Sequence, residues 1–456
     1  MRCRLTWMGA LAAAGALFSW VLSGQQPAGP QPEPFRSGSI AGWRVKVPGG
    51  RPLASPAIAD GKIFVGGGFG SHEFYAFDAA TGKPLWTYHT ADDGPTAAVV
   101  EDGHVAFNTE SCELETITTN GRPVWKKWLG DPLMSMPAIH EGKVFMAYPD
   151  SRGTHRYYLA AFDLKTGAEL WKHPLANEVI TAPIVDNDRI YAATLDGSML
   201  ALTWRDGLKV WEEAKNATSA PAVWNGQVYF SRREATKIAN GGKPGVQQTE
   251  MLAARPAASA MAVTVDMAAT RKEADYLDYN KRQMSSAERK SQSMDAMVGF
   301  GGSSKGAALI APAQANLGQA SVHGIWAYQG SKPFASGGRL YSSMGDETRS
   351  TDIKTGKVIW SRKMPAKDEG VLSPPAIVNG KVFVGTASGE VYALSASTGD
   401  VLWKAELGEP VAFQPIVANG RVCVGTNSGS LYCLNTGDAR DDGWPMWGGS
   451  AAHNGR

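Results

Sequence analysis

Ala76-Phe77-Asp78-Ala79-Ala80-Thr81-Gly82-Lys83-Pro84-Leu85-Trp86 is followed, two units later, by Ala161-Phe162-Asp163-Leu164-Lys165-Thr166-Gly167-Ala168-Glu169-Leu170-Trp171. Looser copies run from Thr351-Asp352 to Trp360 and from Ala393 to Trp403. The closing tryptophan recurs about every forty residues, at Trp43, Trp86, Trp125, Trp171 and Trp211 and again at Trp326, Trp360, Trp403 and Trp444. Only the step from Trp211 to Trp326 is oversized, and less one ordinary unit it leaves an insertion of about 75 residues. A period of this length marks stacked supersecondary units, which for β-rich units means a propeller. The eight intervals predict eight blades.

Each unit reads as four short β-rich runs, A to D, divided by turn dipeptides. Ser55-Pro56-Ala57-Ile58, Asp60-Gly61-Lys62, Ile63-Phe64-Val65 and Phe74-Tyr75-Ala76-Phe77-Asp78 precede the first Thr-Gly. Pro374-Pro375-Ala376-Ile377, Asn379-Gly380-Lys381, Val382-Phe383-Val384 and Val391-Tyr392-Ala393-Leu394 repeat that order. Asn225-Gly226, Asn379-Gly380 and Asn419-Gly420 suit the A–B turn, where a two-residue hairpin demands positive φ. Thr81-Gly82, Thr166-Gly167, Thr355-Gly356 and Thr398-Gly399 make the C–D turn. The expected fold is all-β, an eight-bladed β-propeller of four-stranded antiparallel blades.

The pattern Ala-x-Asp-x-x-Thr-Gly-x-x-x-Trp resembles the PQQ-like propeller repeat, which is named for pyrroloquinoline quinone dehydrogenases and includes the non-enzymatic BamB branch of outer-membrane protein assembly. The resemblance spans nearly all of 40–455 outside the insertion. It implies that Trp43, Trp86, Trp125, Trp171, Trp211, Trp326, Trp360 and Trp403 dock each blade on the next. A tryptophan suits that role, with a large apolar area and one N–H for a turn carbonyl. It also implies that Trp444-Pro445-Met446-Trp447-Gly448-Gly449 to His453-Asn454-Gly455 forms a clasp at the seam. Ile40-Ala41-Gly42-Trp43-Arg44-Val45 reads as a D strand that precedes blade one, and is expected to pair into the last blade, since an open ring would leave unpaired edges.

Arg2 and Arg4 before an apolar run from Leu5 to Leu22 read as a secretory signal over 1–24, or as an uncleaved signal anchor that would be the chain's one membrane contact. Residues 25–39, rich in Gln, Pro and Gly, read as a flexible leader. The protein is expected to be exported, to the periplasm or cell envelope, and to act as a monomer. Cys3 precedes the apolar run, so it is not placed as a lipoprotein cysteine. Cys423 and Cys433 lie equidistant from Ser428 in the last blade's B–C hairpin. A symmetric register would set them face to face, so a disulfide and a pair of small buried residues are both open. Cys112 is expected as a buried thiol.

Chemistry is sparse. There is no Cys-Cys of the kind that quinone dehydrogenases of this family place beneath the quinone, and no Cys-x-x-Cys-His for haem. The eight histidines show no metal-ligand spacing. Gly66-Gly67-Gly68-Phe69-Gly70 lacks the Lys-Ser/Thr and helix of a phosphate loop and reads as a turn. Asp92-Asp93 and Asp441-Asp442 read as solvated turns. Trp224 and Trp326 would suit stacking on a planar quinone, although Trp326 holds the repeat position. Met294-Asp295-Ala296-Met297 is better read as helix surface or core than as a copper site. A net charge of +2 without basic runs among aromatics excludes nucleic acid as the expected ligand.

The insertion is expected at 234–304, low in complexity and partly helical over Glu273 to Val298, with blade five's C strand resuming at Ala308-Leu309-Ile310. A B–C insertion hangs over the channel mouth, on the face that carries most propeller sites. The reading is a non-enzymatic scaffold for envelope proteins, with no catalytic, cofactor or metal residues. The alternatives are a dehydrogenase using pyrroloquinoline quinone with Ca²⁺ on an alcohol or sugar, and a sensor of sugars or peptidoglycan fragments.

Overall fold

The computed structural model describes residues 29–443 apart from 69, 131–134, 150–156, 178, 180–181, 195, 215–216, 218, 241–242, 259–264, 273–332, 345 and 365–371, together with Ser450 and His453. The signal segment 1–24, the helix expected at Glu273 to Val298, Trp326 and Trp444 lie outside the described residues. Eight antiparallel sheets form the propeller. Blade one covers 57–89, two 99–128, three 138–175, four 184–214, five 222–272, six 333–363 and seven 376–406. The short innermost A strands touch their neighbours around a closed ring.

Blade one shows why the repeat has its letters. The A–B turn places Asp60 and Gly61 at φ 49° and 70°. At the C–D turn, Asp78 accepts from the Thr81 amide at 2.8 Å and the Thr81 hydroxyl at 2.6 Å. Asp163 and Asp352 hold Thr166 and Thr355 the same way. In blade four the pair is exchanged, with the Thr203 hydroxyl donating to Asp206. These hydroxyls hold Asp78, Asp163, Asp206 and Asp352 below the usual carboxylate range.

Blade eight is built from both ends of the described chain. Its A, B and C strands are Ile416–Ala418, Arg421–Gly425 and Ser430–Asn435, and Ile40–Lys46 pairs on the last as strand D. A fifth strand, Pro32–Ser37, follows outside it, in register Pro32↔Val45 to Ser37↔Ile40. The leader expected at 25–39 is thus corrected. Its backbone register with Ile40–Val45 pairs it to blade eight, with Pro32, Phe35 and Ser37 half-buried, and Pro32 and Pro34 suit an outermost strand that needs no further ladder.

Blade five departs most from expectation. Its sheet is Ala222–Trp224, Gln227–Asn240, Lys243–Pro256 and Val265–Lys272. The C strand is therefore Lys243–Pro256, where a strand at Ala308–Ile310 was expected, and the first part of the insertion is strand. The physical sign is the turn after Pro256. The Ala257 amide donates to Gly226 O at 2.8 Å, as Ala79 does to Gly61 O at 2.9 Å in blade one.

Candidate functional site

The B–C and D–A connections gather on one face. Their B–C turns share a hydroxyl lock: Thr386, Thr426 and Thr109 accept from the amides four residues on, Glu390, Ser430 and Glu113, at 3.0–3.1 Å. Around the channel mouth, buried Ser55 donates to Gln414 O at 3.0 Å, and Gln414 donates to Pro375 O at 2.7 Å. Asn108 joins Thr96 to Ser135 O, at 2.6 and 3.1 Å. The rim is thus fixed by bonds that cross from blade to blade.

Between blades one and two this loop face is acidic. Asp92 accepts from the Ser111 amide at 2.8 Å and hydroxyl at 3.0 Å. Glu110 stands beside Asp93, its carboxyl pushed up to about 8 by burial, then by the negative charge of Asp93 and Asp92. Glu115, 1% exposed, is raised by burial and accepts from Tyr88 Oη at 2.7 Å. Trp128, 57% exposed, ends blade two's D strand opposite Glu113. The Asp92 and Asp93 expected as solvated are instead part of this buried-edge network. Such a surface can hold polar or cationic groups.

Over the same face, blade five sends out a ribbon. Its B strand has 14 residues against five in blade one, so about nine residues, or ~30 Å, extend past the blade. The pairing runs unbroken to Asn240↔Lys243. The D strand covers the C strand only over Thr249–Ala254, and the A strand covers the B strand over Gln227–Tyr229, with an isolated bridge from Ala217 to Arg232. Among the described residues, 235–240 and 243–248 therefore have free backbone edges.

The tryptophans occupy the blade junctions. Trp43, Trp86, Trp125, Trp171, Trp211 and Trp360 donate to the next blade's turn carbonyl, at Ala79, Thr119, Leu164, Trp204, Ala257 and Ala396, over 2.8–3.3 Å. Five of those rings lie on a turn glycine. A Cβ on Gly82, Gly121, Gly167, Gly207 or Gly399 would come within 2.5–2.7 Å of the tryptophan. Trp403 differs: among the described residues its buried Nε1 has no hydrogen-bond partner, and Gly437, the next Thr-Gly glycine, has open space beside it. That joint is carried by ions instead, Lys381 meeting the fully buried Asp441 at 2.5 Å and Asp438 at 3.2 Å, with Asn379 donating to both. Asp441, expected as solvated, is thereby corrected, because the chain leaves blade eight there rather than turning into a D strand.

Cys423 and Cys433 are direct cross-strand partners and form a disulfide. Cys112 is buried in blade two at φ 55°. His453 is buried, with Nε2 3.1 Å from Pro56 O at the head of blade one's inner strand. Trp224 is half-buried against the Ala222, Tyr229 and Leu252 cluster. Sequence reasoning missed Arg255, which is 1% exposed, stacks 3.6 Å from Trp211 and pairs with Glu213 at 2.9 Å. Among the described residues no three His, Cys, Asp or Glu side chains converge as a metal site. No helix among them is long and apolar enough to cross a membrane.

A family model described as outer membrane protein assembly factor BamB matches residues 36–126, 116–243 and 319–447. BamB of Yersinia pestis is 30% identical over 39% of this chain and 49% of its own length. Lupanine 17-hydroxylase [cytochrome c] of a Pseudomonas species is 31% identical over 26% of the chain and 20% of its own. Quinoprotein ethanol dehydrogenase of Pseudomonas aeruginosa is 29% identical over 42% and 33%. The chain thus spans no more than about half the length of these relatives. The crystal structure of BamB from Moraxella catarrhalis superposes with a TM-score of 0.52 at 15% identity, over 86% of this chain and 96% of that one, which speaks to fold alone.

Proposed function

This chain belongs to the family of the outer membrane protein assembly factor BamB, and from that membership we propose that it is a non-enzymatic scaffold of the cell envelope, holding extended segments of other envelope proteins on its loop face. The observation that carries this reading is the blade-five ribbon, whose edges over 235–240 and 243–248 are free among the described residues. An open edge pairs readily with an added strand, which supplies backbone hydrogen bonds and thus affinity with little demand on sequence. The rim beneath is cross-bonded between blades, so the ribbon stands on a rigid base. An exported protein with its loop face open to the envelope would act by presentation, as a monomer, without catalysis.

Replacing 234–249 by Asn-Gly, which joins the paired Arg233 and Glu250, tests the reading. The shortened protein should melt within a degree or two of the parent yet lose its crosslinks to envelope proteins. Undiminished crosslinking at unchanged yield would overturn the assignment.

A second reading rests on the match to quinoprotein ethanol dehydrogenase. When bound, pyrroloquinoline quinone with Ca²⁺ would supply a two-electron acceptor for an alcohol or sugar. Titration with both, followed by tryptophan quenching and melting temperature, separates the readings. Saturable one-to-one quenching favours the dehydrogenase, and its absence at high quinone retires it.

A further inference from the structure

We propose that the Cys423–Cys433 disulfide is the lock on ring closure, formed before the N-terminal strand docks, so that the closed ring matures only where thiols are oxidised. The bond joins blade eight's B and C strands at a directly opposed pair. The C strand's other edge receives the closing strand, with Trp43 opposite Cys433 and Gly42 opposite Leu434. That approach is close. A Cβ on Gly42 would stand 2.2 Å from Cys433 O, so only glycine lets the two backbones meet. Cys433 Sγ lies 4.0 Å from Ala79 O, the carbonyl that accepts the Trp43 indole N–H at 3.3 Å. The disulfide therefore sits where blade eight, the closing strand and blade one meet.

Burial sets the order of events. The cysteines are 0% and 1% exposed, so no oxidant or reductant reaches either sulfur while the closing strand is in place. Oxidation proceeds by thiol–disulfide exchange with a disulfide-bearing oxidant. One cysteine thiolate attacks it and expels an oxidant thiol; the second cysteine thiolate then breaks the mixed disulfide. Two electrons end on the oxidant's pair of thiols, and the cysteines lose their two protons. Closure then covers the product. Conversely, a dithiol reduces the bond only through states in which the seam between blade eight, the closing strand and blade one has parted, so the reduction rate reports how often the ring opens.

The test is the rate of Cys423–Cys433 reduction by dithiothreitol in the purified protein, followed by alkylation and mass. Gly42→Ala, which crowds the closing strand, is expected to speed reduction at least tenfold. In wild type, graded urea below the unfolding transition should raise reduction in parallel with amide exchange over 40–46, and this readout stands even if the variant fails to fold. Cys423→Ala with Cys433→Ala should speed amide exchange over 40–46 at least tenfold while blades two to four keep theirs; alanine already fills the position matching Cys433 in blade seven, Ala393. An unchanged rate in folded Gly42→Ala, urea-independent reduction, exchange rising equally in all blades, or alkylation mapped to both Cys423 and Cys433 in protein from an oxidising compartment would each overturn the lock.

Discussion

Trp125→Phe and Trp403→Phe make the same chemical change at two blade joints and should give different results. Both rings are half-buried, and each swap forfeits ~40 Å² of apolar contact, or about 1 kcal/mol. At Trp125 the change also removes the indole N–H that reaches Leu164 O at 2.8 Å, worth about 1 kcal/mol more. The expected loss is about 2 kcal/mol. At Trp403 the buried N–H has no acceptor among the described residues, so its removal relieves a desolvation penalty of about 1–3 kcal/mol that offsets the lost contact. Trp403→Phe should therefore be neutral or mildly stabilising. At roughly 2 °C per kcal/mol, the two melting temperatures should part by about 4 °C. Matched thermal scans at one heating rate read the difference without requiring two-state unfolding. A loss in Trp403→Phe equal to that in Trp125→Phe would refute the view that the blade seven–eight joint is carried by Lys381 and its carboxylates rather than by the indole.

Arg255→Leu should cost about 3 kcal/mol, because it strands the Glu213 carboxylate beside an apolar partner; adding Glu213→Leu should recover most of the loss in denaturant titrations, and no recovery would mean that the stack on Trp211 carries the joint instead. Glu110 titrates near 8 in the folded protein against about 4.5 when unfolded, so the folded state binds more protons between those values. Its share of stability is present below the unfolded value and is lost as pH rises toward 8. Glu110→Gln should flatten the fall in melting temperature between pH 5 and 8, and an unaltered slope would exclude this group as its source.

The blade count, the strand order within a blade and the closing of the ring by Ile40–Lys46 were legible in the chain because they rest on local rules repeated many times. Asn-Gly and Thr-Gly turns need positive φ, and the Asp-Thr pair closes its own turn within four residues. Every copy repeats the same short-range physics, so the period survives even where single copies decay. Blade five's C strand had no such marker. Lys243–Pro256 lacks the Asp-x-x-Thr-Gly signal, and its place follows from pairing with Gln227–Asn240 and from the Ala257 turn, both contacts between separated segments. The outer strand Pro32–Ser37 likewise reads as a polar leader until blade eight offers it an edge.

The acidic rim was hidden for a related reason. Asp92 and Asp93 are in one blade's exit loop and Glu110 in the next blade's B–C turn, and only ring packing brings them together and removes water from Glu110. By itself the sequence determined the periodic part of this protein: turn chemistry, blade repeat and the apolar positions that dock. The tertiary structure alone decided which tryptophan goes without an acceptor, which aspartate is buried at the seam and where the ribbon stands. Those outcomes depend on what a neighbouring blade places opposite a residue, and no local pattern encodes that.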